Sequence, residues 1–271
     1  MRNLLGPILI CLASMAQATD APASHPGGIV RLDLGPAEAA APTVRFQGRR
    51  VLVVEAARRW QALIGIALDA EPGWLSAEIT DAGGRQREQP LAIEAHDYPV
   101  QHLRVKNRRH VDPNPEDLAR WARERDAQDV AKRAWRDPAP ATATLGLPVD
   151  GRRSSAFGLR RTFNGEPRNP HSGLDLAVPN GTPVGAPAAG IVSLTGDYFF
   201  NGRTVFVDHG HGLISMLCHL SRIDVAVGDR VAAGEIVGRS GATGRATGPH
   251  VHWSVFLNGN AIDPDALLGD S

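Results

Sequence analysis

The sequence predicts an all-β protein of two domains, an N-terminal β-sandwich and a C-terminal duplicated half-barrel, joined by one helical linker. Three observations carry this expectation. Short alternating apolar runs recur between residues 28 and 105, one stretch at 114–136 favours helix, and two glycine-valine segments beyond residue 180 look like copies of one another. A chain of 271 residues, 42% of them hydrophobic, can bury two modest cores. Lys+Arg and Asp+Glu number 29 each, so no global field draws the chain to nucleic acid or to an anionic membrane surface, and nucleic acid is not an expected partner.

The chain opens with one positive charge in Met1-Arg2-Asn3, then an apolar run from Leu4 to Leu12 leading into Ala16-Gln17-Ala18. That is the pattern of a secretory signal at residues 1–18, cleaved near Ala18. The run is too short to cross a bilayer as a stable helix and no later segment is long enough, so no transmembrane segment is expected. Export to the periplasm or the medium follows. Cys11 falls in the removed segment, where the bulky Ile10 before it argues against lipidation. Cys218 is then the only cysteine of the mature chain, which excludes an internal disulfide.

The first domain is expected at 28–110. Its runs are Val30, Leu32 and Leu34, then Val51-Leu52-Val53, Leu63 to Leu68, Leu91 and Ile93, and last Val100, Leu103 and Val105, with turn signals at Glu71-Pro72-Gly73 and Ala82-Gly83-Gly84. No catalytic constellation is visible there, and His96, His102 and His110 read as ordinary surface or strand histidines. At 114–136, Asn114-Pro115-Glu116-Asp117 supplies an N-cap, a proline in the first turn and acidic residues, and helix-favouring sequence continues to Trp135. Leu118, Trp121, Val130 and Trp135 offer a thin apolar stripe. Pro138-Ala139-Pro140 ends the linker.

The second domain is expected at 145–268, with strands at Gly190 to Leu194, Thr204 to Asp208, Leu213 to Leu220, Glu235 to Gly238 and His250 to Phe256. The segment from Gly181-Thr182-Pro183-Val184 to Gly190-Ile191-Val192 is repeated from Gly228-Asp229-Arg230-Val231 to Gly234-Glu235-Ile236-Val237-Gly238, which suggests the duplicated half-barrel.

Chemistry concentrates in this half. In His250-Val251-His252 the two histidines share one face of a strand, about 6.6 Å apart, while Val251, Trp253 and Val255 fall on the other. In His171-Ser172-Gly173-Leu174-Asp175 an extended chain would separate His171 from Asp175 by roughly 13 Å, too far for one ion, so the segment must bend, and Gly173 permits it. With the second histidine pair, these residues supply enough nitrogen and carboxylate ligands for a tetrahedral zinc site with one position open to water, the mark of a catalytic rather than a structural site. His219 follows Cys218 in a strand, where the two side chains point to opposite faces. A cysteine nucleophile beside its base is thereby disfavoured, and Cys218 reads as a core residue.

These motifs resemble those of the lysostaphin/LytM-type zinc metalloendopeptidases, duplicated β-rich folds that hydrolyse peptidoglycan peptide bonds. The resemblance runs from about Phe157 to Pro264. It includes His-Ser-Gly-Leu-Asp from 171, Gly-Thr-Pro-Val from 181, Val-Asp-His-Gly from 207, Cys-His-Leu-Ser from 218, Val-Gly-Asp from 227 and Gly-Ala-Thr-Gly-Arg-Ala-Thr-Gly-Pro-His-Val-His-Trp from 241. It implies one zinc ion held by His171, Asp175 and His252, with His219 and His250 unligated and catalytic, and a peptidoglycan peptide as substrate. His209 reads as structural and His211 has no role. Arg160, Arg161 and Arg168 are candidates to meet substrate carboxylates. The first domain is similar in pattern to the N-terminal β-sandwich of some exported members. One hypothesis is that this domain or the helix shades the cleft until a partner protein or the wall moves it, so that a chain beginning near Ala141 would be the more active one.

Rival readings are weaker on the residues. A non-catalytic relative that binds the wall and activates amidases would have lost metal ligands, and none is missing. A lipoyl or biotinyl carrier needs a lysine in its turn, whereas Lys106 and Lys132 both lie outside the second domain. Zinc storage would want a closed site. A D-alanyl to diaminopimelate cross-link is the expected bond, with a glycine bridge or a non-wall protein as the alternatives.

Overall fold

The computed structural model describes residues 21–104 and 108–269. The expected signal segment, its cleavage point and Cys11 lie outside them. The all-β expectation holds, with one α-helix, Pro115–Lys132, among the described residues.

The N-terminal part has two sheets. One carries, in order, Ala23–Ser24, Gln86–Ile93, Gly73–Thr80, Thr43–Phe46 and Arg49–Arg50; the other carries Ile29–Pro36, Arg59–Gly65 and Leu52–Ala56. Val30, Val44, Phe46, Ile64, Ile79 and Leu91 fill the space between them as a sandwich core. Leu52 to Val54 is apolar without alternation for a physical reason: Val53 faces the sandwich, whereas Leu52 and Val54, with Leu63, join the core of the C-terminal part. Where the two parts meet, the buried Asn258 accepts from the Gly65 amide at 2.7 Å and donates to its carbonyl at 3.0 Å. A Cβ on Gly65 would lie 2.9 Å from Leu257 and Ile262, so only glycine allows this approach. The sandwich is therefore fastened to the rest by shared core and paired backbone.

The C-terminal part is built on a sheet whose order is Arg152–Ser155, Leu174–Ala177, Val251–Leu257, Leu213–Leu220, Gly202–Gly210, Gly190–Tyr198 and Arg230–Val231, with Asn260–Ile262 paired to Val251–Leu257. A smaller sheet, Pro183–Gly185, Ile236–Arg239 and Arg222–Ile223, packs against it over Val184, Val192, Val207, Val237 and Trp253. The two similar segments pair reciprocally. Val184 of the first lies opposite Gly238 of the second, and Gly190 of the first lies opposite Val231 of the second. Each copy thus supplies the strand the other lacks.

The helix is capped as expected: the Asn114 side chain accepts from the Asp117 amide at 2.8 Å. It stops at Lys132, and Trp135 lies beyond it, stacked on His211 at 4.6 Å between centroids. The expected apolar stripe is not the docking face. Leu118 and Val130 are 46% and 74% exposed, while Asp117, Gln128 and Ala131 are buried. The helix is held largely by polar contacts: Gln128 accepts from Asn201 at 2.9 Å, Glu124 from the Phe199 amide at 2.7 Å, and Arg120 donates to the Asp197 carbonyl at 2.8 Å. A sequence with so little apolar content on any one face has no stripe to bury, and hydrogen bonding sets its orientation instead.

Candidate metal centre

Two neighbouring strands build the centre. Asp175 of Leu174–Ala177 lies directly opposite His252 of Val251–Leu257, so both side chains rise on one face while Leu174, Leu176, Val251 and Trp253 fill the core on the other. His171 reaches the same point because the chain bends at Gly173. The reason for glycine is closeness rather than an unusual φ. A Cβ there would lie 2.4 Å from the Trp253 carbonyl oxygen and 2.8 Å from the His252 ring. Hydrogen bonds from the His171 amide to the Leu159 carbonyl and from the Gly158 amide to the His171 carbonyl fix the approach.

The three side chains converge closely. His171 Nε2 is 2.9 Å from Asp175 Oδ1 and 2.9 Å from His252 Nδ1, and His252 Nδ1 is 2.8 Å from Asp175 Oδ1. His171 Nδ1 lies 2.7 Å from the Ala156 carbonyl, which can only accept, so the ring proton belongs there and Nε2 points inward with a lone pair. At most one proton, on His252 Nδ1, is then left to share among three acceptor atoms. Such a surplus of lone pairs fits a cation, and the two-nitrogen, one-oxygen donor set suits zinc. Burial raises the Asp175 carboxyl, but the adjoining His171 and His252 outweigh it and hold the group well below the usual carboxylate range. Burial lowers His252 to about 4, against a smaller upward pull from Asp175, so it is neutral and free to ligate near pH 7.

His250 and His219 stand beside this trio. His250 Nε2 is 3.8 Å from Asp175 Oδ1, a full ångström farther than His252 Nδ1, and the His219 ring lies 4.8 Å from that of His250. Both hold their Nδ1 protons on carbonyls, His250 on Gly248 and His219 on Thr243, each at 2.8 Å, which leaves Nε2 as the proton-accepting atom. Burial first, and then His250 and His252, lower His219 to about 3.

His219 corrects one expectation. Its φ of +62° breaks the alternation of Leu213–Leu220 and brings its ring beside His250 and His252. Cys218, paired with His252, shares that face instead of pointing away from it. The thiol is buried among Tyr198, Phe206 and Met216, and burial pushes it up to about 12, so it remains a core group. His209 is buried between the Ala189 carbonyl and Ser215, each at 2.9 Å, and His211 pairs with Asp137 at 2.8 Å. His102 contacts Thr162, His96 stacks on His25 and His110 packs on Phe199.

Of the three candidate arginines, Arg160 is exposed, Arg168 donates to the Pro167 and Val111 carbonyls, and Arg161 turns inward. Arg161 Nη2 donates to Asp175 Oδ2 at 2.8 Å and to Ser155 Oγ at 2.8 Å, while Nε donates to Gln101 at 3.2 Å. Gln101 comes from Val100–Leu103, which pairs in parallel with Arg160–Phe163. Sequence reading missed this support, since only the distant pairing brings Gln101 near. With Oδ2 held by Arg161, Asp175 is left to offer one oxygen to a metal. Arg161→Ala is accordingly expected to weaken metal affinity about 10–100-fold with the fold retained, measured by chelator competition; unchanged affinity would contradict this role.

Three of the histidines with lowered pKa, His209, His219 and His252, also predict how the metal-free protein responds to acid. The unfolded chain takes up protons near pH 6.5, whereas burial first of all keeps His209 neutral to about 4, as it does His252, and His219 to about 3. Below 6.5 the unfolded state therefore binds more protons, and stability falls as pH drops toward 4. Thermal melts of the apo protein from pH 7 to 4.5 should show this decline, and a flat melting temperature across that range would refute it.

The centre lies on a cleft of about 540 Å³ walled on one side by helix residues Trp121, Glu124, Gln128 and Lys132, and on the other by Ser172, Arg245 and His252. The helix thus stands over the approach.

Fold and site together define a β-rich protein with a His-Asp-His group fit to hold a metal ion. Residues 169–264 match the model of peptidase family M23, and residues 23–94 that of the family M23 N-terminal domain. The crystal structure of a putative peptidase M23 from Pseudomonas aeruginosa is 45% identical, with a TM-score of 0.76 over 92% of this chain and 96% of that one. This chain belongs to peptidase family M23. Among curated relatives, the peptidoglycan DD-endopeptidase ShyA of Vibrio cholerae is 40% identical over 119 residues, 43% of this chain and 28% of that protein. The DD-carboxypeptidase/endopeptidase Mpg of Neisseria meningitidis is 39% identical over 113 residues, 42% of this chain and 26% of that protein. The match thus spans about a quarter of the length of each.

Proposed function

We propose that this chain is an exported zinc metalloendopeptidase that hydrolyses peptide cross-links of bacterial peptidoglycan. In this reading residues 1–18 are a cleaved signal, 28–110 the N-terminal domain, 114–136 the linker and 145–268 the peptidase domain. The observation that carries it is the lone-pair surplus at His171 Nε2, Asp175 Oδ1 and His252 Nδ1, beside two histidines whose Nε2 atoms are free to take a proton. The names of ShyA and Mpg support the wall as substrate.

His171, Asp175 and His252 hold one zinc ion. Zinc supplies, when bound, a Lewis acid for the scissile carbonyl and a lowered pKa for the attacking water. Arg161 keeps Asp175 aligned through its second oxygen. His219 and His250, anchored at Nδ1, accept the water's proton at Nε2, pass it to the leaving amine and donate to the developing oxyanion once protonated. Burial keeps His219 neutral at neutral pH, with its Nε2 able to accept.

Digestion of purified wall fragments, with products identified by mass spectrometry, tests the assignment. New D-alanyl carboxyl ends with freed diaminopimelate amines are expected. Release of products only from glycine-bridged walls would overturn the choice of bond.

A further inference from the structure

Arg245 lines the cleft, and the mechanism above leaves its chemistry unused. Its guanidinium lies 4.3 Å from the centroid of Phe200 and 4.8 Å from that of Phe163. It is partly buried, and it forms no ion pair or hydrogen bond through its guanidinium with any described residue. Elsewhere arginines find acids: Arg59 pairs with Asp33, Arg109 with Asp117 and Arg136 with Asp208. The charges nearest Arg245 are of its own sign. Burial first, then Arg161 and Arg168, lower it to about 10. Acids on the helix wall of the same cleft are committed elsewhere, Glu124 to Arg120 and the Phe199 amide, Asp129 to Lys132.

A cation partly withdrawn from water without a counter-ion carries a desolvation cost that aromatic contact only partly offsets. Aromatic rings on the guanidinium hold its plane while leaving N–H edges to meet a planar anion, for which arginine's fork is shaped. The cleft that holds Arg245 also holds His252 and Ser172, so a group bound there sits on the approach to the metal centre.

We infer that Arg245, flanked by Arg168, is a specificity-determining residue that receives a free carboxylate adjoining the scissile amide. The substrate class is then a cross-link peptide bearing such a carboxylate, as a D-alanyl-diaminopimelate cross-link does and the interior of a glycine bridge does not. This inference rests on the peptidase reading above. Sequence reading passed over Arg245 because it sits within a glycine-rich motif and no charge pattern singles it out.

The test uses the full mature chain loaded with zinc and two synthetic D-alanyl-diaminopimelate cross-linked peptides, one with the carboxylate beside the cross-link free and one with it amidated. The wild type should prefer the free acid by about 10–100-fold in kcat/KM, mainly through KM, the range expected of a hydrogen bond to a charged group. Arg245→Gln should bring the two peptides level with metal content unchanged, and Arg245→Lys should keep part of the preference. If Arg245→Gln keeps the wild-type preference, or weakens both peptides equally, Arg245 is only a strut between Phe163 and Phe200 and the inference is overturned. Cleavage of neither peptide by the metal-loaded wild type would instead sink the peptidase reading. Calorimetric titration of both peptides then decides for Arg245 separately: a preference for the free acid that Arg245→Gln abolishes supports the inference, and equal binding by the wild type refutes it.

Discussion

Replacing His252 by alanine is expected to remove the metal and with it essentially all activity, a loss on the order of 1,000-fold or more, since Lewis-acid stabilisation is worth several kcal/mol and each 1.36 kcal/mol is tenfold in rate. The geometry makes His252 central. Its Nδ1 is 2.8 Å from Asp175 Oδ1 and 2.9 Å from His171 Nε2, and its Nε2 is 2.8 Å from Ser254 Oγ, which orients the ring from behind. The substitution leaves Asp175 paired with Arg161 and His171, so the fold should survive. Metal analysis of the purified variant checks this, and retention of a full equivalent of metal would remove His252 from the ligand set.

His250→Ala should separate from it cleanly. His250 shares the face of His252 but stands 3.8 Å from Asp175 Oδ1, and its proton is anchored on the Gly248 carbonyl. Metal should therefore stay bound while turnover falls about 10²–10⁴-fold, the usual share of a positioned acid or base. The loss should appear in kcat more than in KM, because the histidine acts as the proton moves. If the variant instead loses its metal, His250 is a ligand and the roles of the pair must be exchanged.

The histidine pair was legible in the sequence because residues two apart in a strand share a face, and the buried Val251, Trp253 and Val255 answer it on the other side. The Asp175 motif was half legible: distance demanded a bend, but the registry of Asp175 with His252 depends on residues far apart in the chain. His219 reached the site through a left-handed φ at a non-glycine position, which no propensity signals. In the sandwich, Gly73–Thr80 and Thr43–Phe46 were not singled out as strands. Ala77 and Ile79 in one and Val44 and Phe46 in the other are the buried residues, too few to register as runs.

The helix begins at its expected cap, ends at Lys132 instead of running on to Trp135, and packs by a different face from the expected stripe. Exposed Leu118 and Val130 suggested a stripe, while Gln128, Glu124 and Arg120 do the docking. Polar contacts of this kind contribute modestly, and elements held by them lie toward the low end of local stability. The sandwich, with Leu52, Val54 and Leu63 in a shared core, is fastened more firmly. If access to the metal centre is restrained, the helix is the element able to yield.

Metal content and hydrolysis of cross-linked peptidoglycan, measured together on the mature chain and on a form whose helix contacts are weakened by Glu124→Ala and Gln128→Ala, test the central claim most directly. About one zinc per chain, with hydrolysis abolished by chelation and restored by zinc, is the predicted result. One zinc per chain with no bond cut in either form would contradict it and would point to a wall-binding activator of amidases.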